Sequence, residues 1–488
     1  MPRRLDALDV TFLDEETSAT PRQVMTLAVV APGERPFDYD TLVQVVNERI
    51  GLVPRYRQRV AAVPGGIGSP VWVDDASFDL SYHVRRSALP SPGSNAALRE
   101  LVSRLIARRL DLTRPLWEAY FIEGLEGGRC AVLIKSHQAL VDGSVTVDLA
   151  QVLLDESAHD RDVPSDGWKP RSEPGGASLV AGSLVDAALD PRRAASRLRS
   201  GFDKVQARVG KVVQTLPVVG PVAADAPGPF SGRLSQHRRY VTVSTRLDQY
   251  RGVRDVHGGT VNDVILATIA GGIRGWMLTQ AEPVSDKTRL RAMVPMSVAA
   301  PDGVPTSYGS TVRGHLLSLP VGETNPVVRL HQVSYALKAH RETGVAVAAN
   351  TLASLPGFAP TTFHAVGARV AETQAHHPYD LIVTNVPGPQ EPMFMGGAQI
   401  VETYPAIPLS HGRTLSIGIT SYAGGVYYGL VADRQAVPEA DILGQCLEEA
   451  LAELVETASP TRQRAPRGGL APVWDQHAPS VDDAGSTA

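Results

Sequence analysis

Two blocks of alternating strand-like and helix-like pattern, separated by a stretch that can sustain neither, constrain this chain more than any other feature. Between Glu156 and Gln236 the composition shifts toward Pro, Gly, Ser, Ala and Arg, with Pro164, Pro170, Pro174, Pro191, Pro217, Pro221, Pro227 and Pro229 as breakers. Each proline removes a backbone donor and obstructs the turn before it, so this stretch reads as an interdomain linker. The expected organisation is a first α/β domain over residues 1–155, a linker over 156–236, a second α/β domain over 237–458 and a disordered tail over 459–488. A length of 488 residues agrees, since domains of roughly 150 residues would number two to three.

In the first block Gln23 to Val30 predicts a strand, and Leu42, Val45, Val46 and Ile50 recur at helical spacing. Leu98, Leu101, Leu105 and Leu110 predict a second helix, followed by strands at Tyr120 to Ile122 and Cys130 to Ile134. In the second block Val261, Val264, Ile265, Thr268, Ile269, Ile273 and Trp276 predict a helix, with strands at Arg289 to Met296, His315 to Leu319 and Leu381 to Val386. Thr414 to Tyr422 and Val426 to Val431 flank Ala423-Gly424-Gly425, a hairpin turn with two glycines able to take positive φ. The closing helix, Pro438 to Ala458, starts on proline and carries Glu439 and Asp441 in its first turn. Inside the linker, Arg192 to Lys211 holds seven cations against Asp203, with Leu198, Phe202, Val205 and Val209 at helical spacing. This basic amphipathic helix is either a solvated linker face or a surface that docks on anionic lipid.

Charge and cysteine content exclude several functions. Lys and Arg number 47 against 51 Asp and Glu, so the net charge of −4 gives no general attraction for nucleic acid. Two cysteines, Cys130 and Cys446, make neither a disulfide framework nor a thiolate metal site, which points to a reducing cytosol. The N-terminus lacks the apolar core of a signal peptide, and no run of about 18 apolar residues is long enough to span a bilayer, so any membrane contact is expected to be peripheral. No phosphate-loop spacing occurs. His376-His377-Pro378-Tyr379-Asp380 is rejected as a metal site, because Pro378 interrupts any helix that could align ligands.

The segment most able to carry chemistry is Lys135-Ser136-His137-Gln138-Ala139-Leu140-Val141-Asp142-Gly143, between the strand ending at Ile134 and a helical pattern of Val145, Leu149, Val152 and Leu153. Strand-to-helix junctions of this kind are where open α/β folds place ligands. A loop with a satisfied histidine and a capping Asp142 would look the same. Asn262-Asp263 opens the helix at Val261, where a capping role competes with a substrate contact.

The segment resembles the HHxxxDG signature of the bacterial wax ester synthase/diacylglycerol acyltransferase family. Leu5-Asp6-Ala7-Leu8-Asp9 with Phe12-Leu13 looks like that family's opening, Val53 to Arg59 like its basic segment, and Arg114-Pro115-Leu116-Trp117-Glu118 like its PLW motif. Val261-Asn262-Asp263 matches its ND motif, Arg291 to Ser297 its VPxS strand, and Thr384-Asn385-Val386-Pro387-Gly388-Pro389 its NVPGP segment.

The resemblance implies an α/β (α+β) architecture of two chloramphenicol-acetyltransferase-like domains with a tunnel between them. There long-chain acyl-CoA, as co-substrate with no other cofactor and no metal, would meet diacylglycerol or a fatty alcohol. It implies a cytosolic enzyme loosely attached to the inner membrane or to lipid inclusions. His137, Gln138, Asp142 and Gly143 fall on the catalytic motif, with Asp142 as a loop-fixing ion-pair partner of an arginine, and Asn262 and Asp263 on a substrate-binding one. The family's base is the second histidine, and Gln138 stands at that position. An amide cannot take a proton near neutral pH. Three arrangements are compatible with this: His137 turns inward as base while Gln138 orients the alcohol or oxyanion; Gln138 points inward and the site is slow or silent; or the tunnel holds acyl-CoA or lipid without transfer.

Overall fold

The computed structural model describes residues 3–33, 36–66, 68–141, 148–159, 161, 163, 166–189, 228–297, 312–343, 360–373 and 379–459. Strands in chain order are β1 (Gln23–Val30), β2 (Gln58–Ala61), β3 (Val71–Asp74), β4 (Val84–Ala88), β5 (Trp117–Glu123), β6 (Cys130–His137), β7 (Arg238–Arg246), β8 (Leu290–Ser297), β9 (Val312–Leu319), β10 (Leu381–Pro387), β11 (Phe394–Met395), β12 (Ala398–Ala406), β13 (Leu415–Tyr422) and β14 (Gly425–Asp433). The longer helices are α1 (Ala7–Glu15), α2 (Tyr39–Arg49), α3 (Asn95–Ala107), α4 (Gly176–Leu189), α5 (Leu247–His257), α6 (Val261–Thr279), α7 (Pro326–Thr343), α8 (Pro360–Thr373) and α9 (Ala440–Ala458). Side-chain caps start several of them: Asp6 accepts from the Asp9 amide, Asp38 from Thr41 and Ser94 from Ala97.

Two six-stranded mixed sheets form, ordered β11-β12-β1-β6-β5-β4 and β7-β14-β13-β10-β8-β9. The expected α/β class and the alternation in both blocks are therefore present. β1 and β6 lie inside the first sheet and are buried along almost their whole length, which explains their near-continuous apolar runs. Each sheet has its own apolar cluster, one around Val132, Leu133 and Trp117, the other around Ile269, Ile417 and Leu430.

The sheets do not divide at the linker. β11 and β12 belong to the second half of the chain but complete the first sheet, β12 pairing antiparallel with β1 from Met25↔Ala406 to Val30↔Ile400. Residues 394–406, within the expected second domain of 237–458, thus cross over to cover the edge of β1. Where β12 crosses back, Pro405 presses on two strands of the second sheet. A Cβ on Gly429 would lie 1.7 Å from the Pro405 carbonyl oxygen, and one on Gly418 would lie 2.9 Å from the Pro405 ring.

The linker is also partly structured. α4 lies within it, and Leu179 is buried with Ala61, Val63, Val71 and Val73 of the β2–β3 hairpin. Arg57 pairs with Asp166, Arg59 with Glu173, and Arg171 with Asp74, so the strap is fastened on both sides of Pro170 and just ahead of Pro174. The prolines precede the helix and do not interrupt it, a distinction that breaker content alone does not draw. The basic segment 192–211 and the tail beyond 459 lie outside the described residues. In the hairpin, Ala423 (φ 44°) and Gly424 (φ 80°) make the two-residue turn, while Gly425 already pairs with Tyr422. α9 begins at Ala440, with Glu439 as its cap residue.

Replacing Gly429 by Ala should lower the melting temperature by several degrees, because overpacking of this kind costs about 1–3 kcal/mol and the obstacle, the Pro405 carbonyl, is main chain that cannot swing aside. A thermal melt of the variant within about one degree of the parent would contradict this crossing.

Candidate functional site

β6 delivers the signature segment into the interior. The His137 amide donates to the Leu116 carbonyl (3.0 Å) and the Gln138 amide to the Arg22 carbonyl (2.9 Å), so the backbone is held from β5's side and from just before β1. Trp117 Nε1 donates to the Tyr56 carbonyl (2.7 Å), and His83 stacks on Trp117 at 4.7 Å. The Tyr56 hydroxyl donates to Asp148 Oδ1 (2.8 Å) and stands 3.4 Å from Ser136 Oγ. The basic segment, the PLW motif and the signature strand therefore meet around one aromatic group. Asp142 and Gly143 lie outside the described residues.

The second half reaches the same loop through α8. Arg369 Nη1 donates to the Gln138 carbonyl (2.8 Å) and to Asp9 Oδ1 (2.6 Å), and its guanidinium lies 5.1 Å from the Phe12 ring centre. One turn on, Glu372 accepts from Arg22 Nη2 at 2.8 Å. No signal in the sequence marks Arg369, Arg22 or Glu372.

His137 and Gln138 are both fully buried. The Ala139 amide donates to His137 Nδ1 at 3.0 Å. An amide N–H can only donate, so this bond assigns the ring proton to Nε2. Burial, joined by the cations Arg22, Arg369 and Arg109, pushes the His137 imidazolium down to about 3, so the ring is neutral near pH 7. As placed, Nε2 is a hydrogen-bond donor and not a proton acceptor, which weighs against the arrangement in which His137 is the base. His137 Nε2, Gln138 Oε1, Gln23 Oε1 and Glu372 Oε2 are buried without a hydrogen-bond partner among the described residues. Gln23 pairs directly with His137 across β1 and β6. Orphaned buried polar atoms are uncommon, and their gathering around one motif marks a place where a ligand or water completes the bonding.

Asn262 and Asp263 have different surroundings. Both Asp263 oxygens are taken by the start of α6, from the Thr260 amide and hydroxyl, and Ser334 Oγ donates to Oδ2 as well. This is a capping box, and it favours the capping role for Asp263. Asn262 Oδ1 instead accepts from Asn385 Nδ2 at 2.8 Å, joining the ND motif to the NVPGP segment. Beside Asn385, Thr384 Oγ1 lies 2.6 Å from Nδ1 of the buried His364 on α8, a contact that sequence reasoning missed. His376 and His377 are outside the described residues. Among the described residues no group of three or more His, Cys, Asp or Glu side chains could hold a metal ion.

A family profile described as the wax ester synthase/diacylglycerol acyltransferase catalytic domain matches residues 5–265, and its C-terminal domain profile matches residues 308–455. The chain belongs to this family. It is an acyltransferase by descent, and similar proteins carry that name. A probable diacylglycerol O-acyltransferase of Mycobacterium tuberculosis, tgs1, is 31% identical over 471 residues, which is 96% of this chain and 99% of the relative. Another from the same organism, tgs3, is 39% identical over 260 residues, 52% of this chain and 96% of the relative. Among solved structures, the wax ester synthase/diacylglycerol acyltransferase from Marinobacter aquaeolei VT8 superposes with a TM-score of 0.65 at 24% identity, covering 93% of this chain and 100% of the other. The first condensation domain of the CDA synthetase gives 0.53 at 15% identity, covering 94% and 96%. These likenesses establish the two-domain chloramphenicol-acetyltransferase-like fold.

The depressed pKa of His137 has a consequence for stability. Its folded value of about 3 lies below the ordinary imidazole value of 6.5, so its contribution is complete above pH 6.5 and is lost as pH falls toward 3. His137→Asn, whose amide oxygen can still accept from Ala139, should therefore melt with a weaker pH dependence than the parent across the range between those two values. Parallel melting curves across that range would show that His137 is not held neutral.

Proposed function

We propose that this protein transfers a long-chain acyl group from acyl-CoA to diacylglycerol or a fatty alcohol, with the orphaned polar atoms around His137 and Gln138 as the reaction centre. Those atoms carry the reading, because around this motif the described residues leave buried donors and acceptors without a partner, as a site that receives a substrate does. The names of the relatives support the substrate class.

The hydroxyl oxygen of the acceptor attacks the thioester carbonyl carbon; the new C–O bond forms, the C–S bond breaks, and CoA leaves as the thiol carrying the hydroxyl's proton. The His137 Nε2–H is suited to donate to the carbonyl oxygen as negative charge develops on it. The Gln138 amide oxygen is suited to accept from the attacking hydroxyl and hold it in line, without taking the proton. With no imidazole at position 138, the proton passes to the departing sulfur directly or through water, and the reaction is slower than one with a base. Asp142 keeps its expected role as an ion-pair partner that fixes the loop and Gly143 its place in the catalytic motif, and Asn262 with Asn385 is the second-half contact nearest to a substrate role. No cofactor beyond acyl-CoA is required by this chemistry.

The acceptors are membrane lipids, so the enzyme works at the inner membrane or on lipid inclusions as a peripheral protein. Among the described residues no helix is long and apolar enough to cross a bilayer. The basic segment 192–211 supplies the cations for such a contact, each contributing about 1 kcal/mol near an anionic surface.

Thiol release from palmitoyl-CoA, measured with dioleoylglycerol and with hexadecanol, tests the proposal. The parent should turn over slowly, with a rate nearly flat between about pH 6 and 8. Gln138→His should raise the rate by about 10²-fold or more, the usual contribution of a general base, and make it fall below the pKa of the new imidazole. Release at the uncatalysed rate by both proteins, with acyl-CoA still bound, would replace the enzyme reading by a lipid-binding one.

A further inference from the structure

The signature loop has its backbone held by two parts of the chain that are remote from it in sequence, and both meet at Arg369. One guanidinium nitrogen bonds the carbonyl of Gln138 and the carboxylate of Asp9, so residues 9, 138 and 369 form a single buried junction. Asp6 adds a longer contact at 3.6 Å, and Phe12 covers the guanidinium face. Arg369 and Asp9 are each almost fully buried, so this pair is withdrawn from the screening that makes surface ion pairs weak.

α8 carries a second set of contacts on another face. A Cβ on Gly367 would lie 3.1 Å from the ring of Pro295 and 3.2 Å from Thr384, and His364 meets Thr384 directly. Pro295 and Thr384 belong to the VPxS and NVPGP segments, and Asn385 beside Thr384 holds Asn262. The same helix thus rests on the motif strands of the second half through Gly367 and His364, and grips the reactive loop of the first half through Arg369. A shift of α8 along its axis would be transmitted to the Gln138 carbonyl, because hydrogen bonds of 2.6 and 2.8 Å leave little slack.

We infer that Arg369, neutralised by Asp9, is the positioning residue through which the second half sets the conformation of the His137–Gln138 loop. It acts on residue 138 through the main-chain oxygen and therefore does not depend on which side chain that residue carries. The amides of Ala139 and Leu140, bonded to His137 Nδ1 and to the His137 carbonyl, report the state of the loop. The kinetic consequence rests on the acyltransferase reading; the structural consequence does not.

Arg369→Met alone strands the Asp9 charge and can unfold the protein, so the decisive variant is the double replacement Asp9→Leu/Arg369→Met, in which the interior stays neutral. Hydrogen exchange of the folded double variant should be at least about tenfold faster than the parent's at Ala139 and Leu140, with residues 131–136 of β6 unchanged. Its kcat for thiol release should fall at least about tenfold with the KM for palmitoyl-CoA within about threefold, since misplacing a reacting group costs turnover before it costs binding. Arg369→Lys, which keeps the charge, should recover part of both. Unchanged exchange at Ala139 and Leu140 in the folded double variant overturns the inference whether or not the parent turns over. A parent with no turnover refutes the acyltransferase reading and leaves the exchange measurement as the deciding one.

Discussion

The pairing of β12 with β1 is the constraint on which the rest of the molecule depends. β1 lies between β6, which carries His137, and β12, which follows α8 and β10 of the second half in the chain. Without the second half, β1 would be left with an open edge and its apolar run exposed, a template for unwanted strand pairing. The first domain is therefore incomplete on its own, and the register of the signature strand is inherited from a sheet that both halves build. Pro405, seated between the bare backbones of Gly418 and Gly429, brings the two sheets to the closest separation that main chain permits at that point.

Much of this architecture is legible in local signals. Strands and helices with long apolar periodicity can be read from the sequence because one side-chain pattern decides them, as at Gln23 to Val30 and Val261 to Trp276. β12 cannot, since Gln399, Glu402, Thr403 and Pro405 dilute any alternation. Its strand conformation comes from the partner edge, a tertiary cause absent from a local window. α4 is hidden for the opposite reason: nearby prolines dominate the window although Pro170 and Pro174 fall ahead of its first turn and Pro191 beyond its last residue.

The site follows the same division. The signature segment, Tyr56, Trp117 and Asn262 lie in motifs that resemblance identifies, so their convergence is foreseeable from the family. Arg22, Arg369, Glu372 and His364 stand in stretches without periodicity or spacing to single them out, and their importance comes from partners far away along the chain. Asp263 shows the limit of motif reasoning from the other side. A carboxylate three residues after Thr260 has an immediate local use, and the structure commits both oxygens to it.

The electrostatics around His137 give the glutamine at position 138 a physical context. Complete burial and three arginines oppose a positive imidazolium at His137. A catalytic base must carry its proton transiently, so in this setting a histidine at 138 would need a nearby anion to hold the charge while the thiolate departs. Asp9 is already committed to Arg369, whereas Glu372 bonds Arg22 through Oε1 and keeps Oε2 without a partner among the described residues. A neutral amide avoids that demand and retains the ability to align a hydroxyl. The substitution thus leaves a site whose fixed charges favour developing negative charge on the thioester oxygen, while the proton departs without a base and turnover is correspondingly slower.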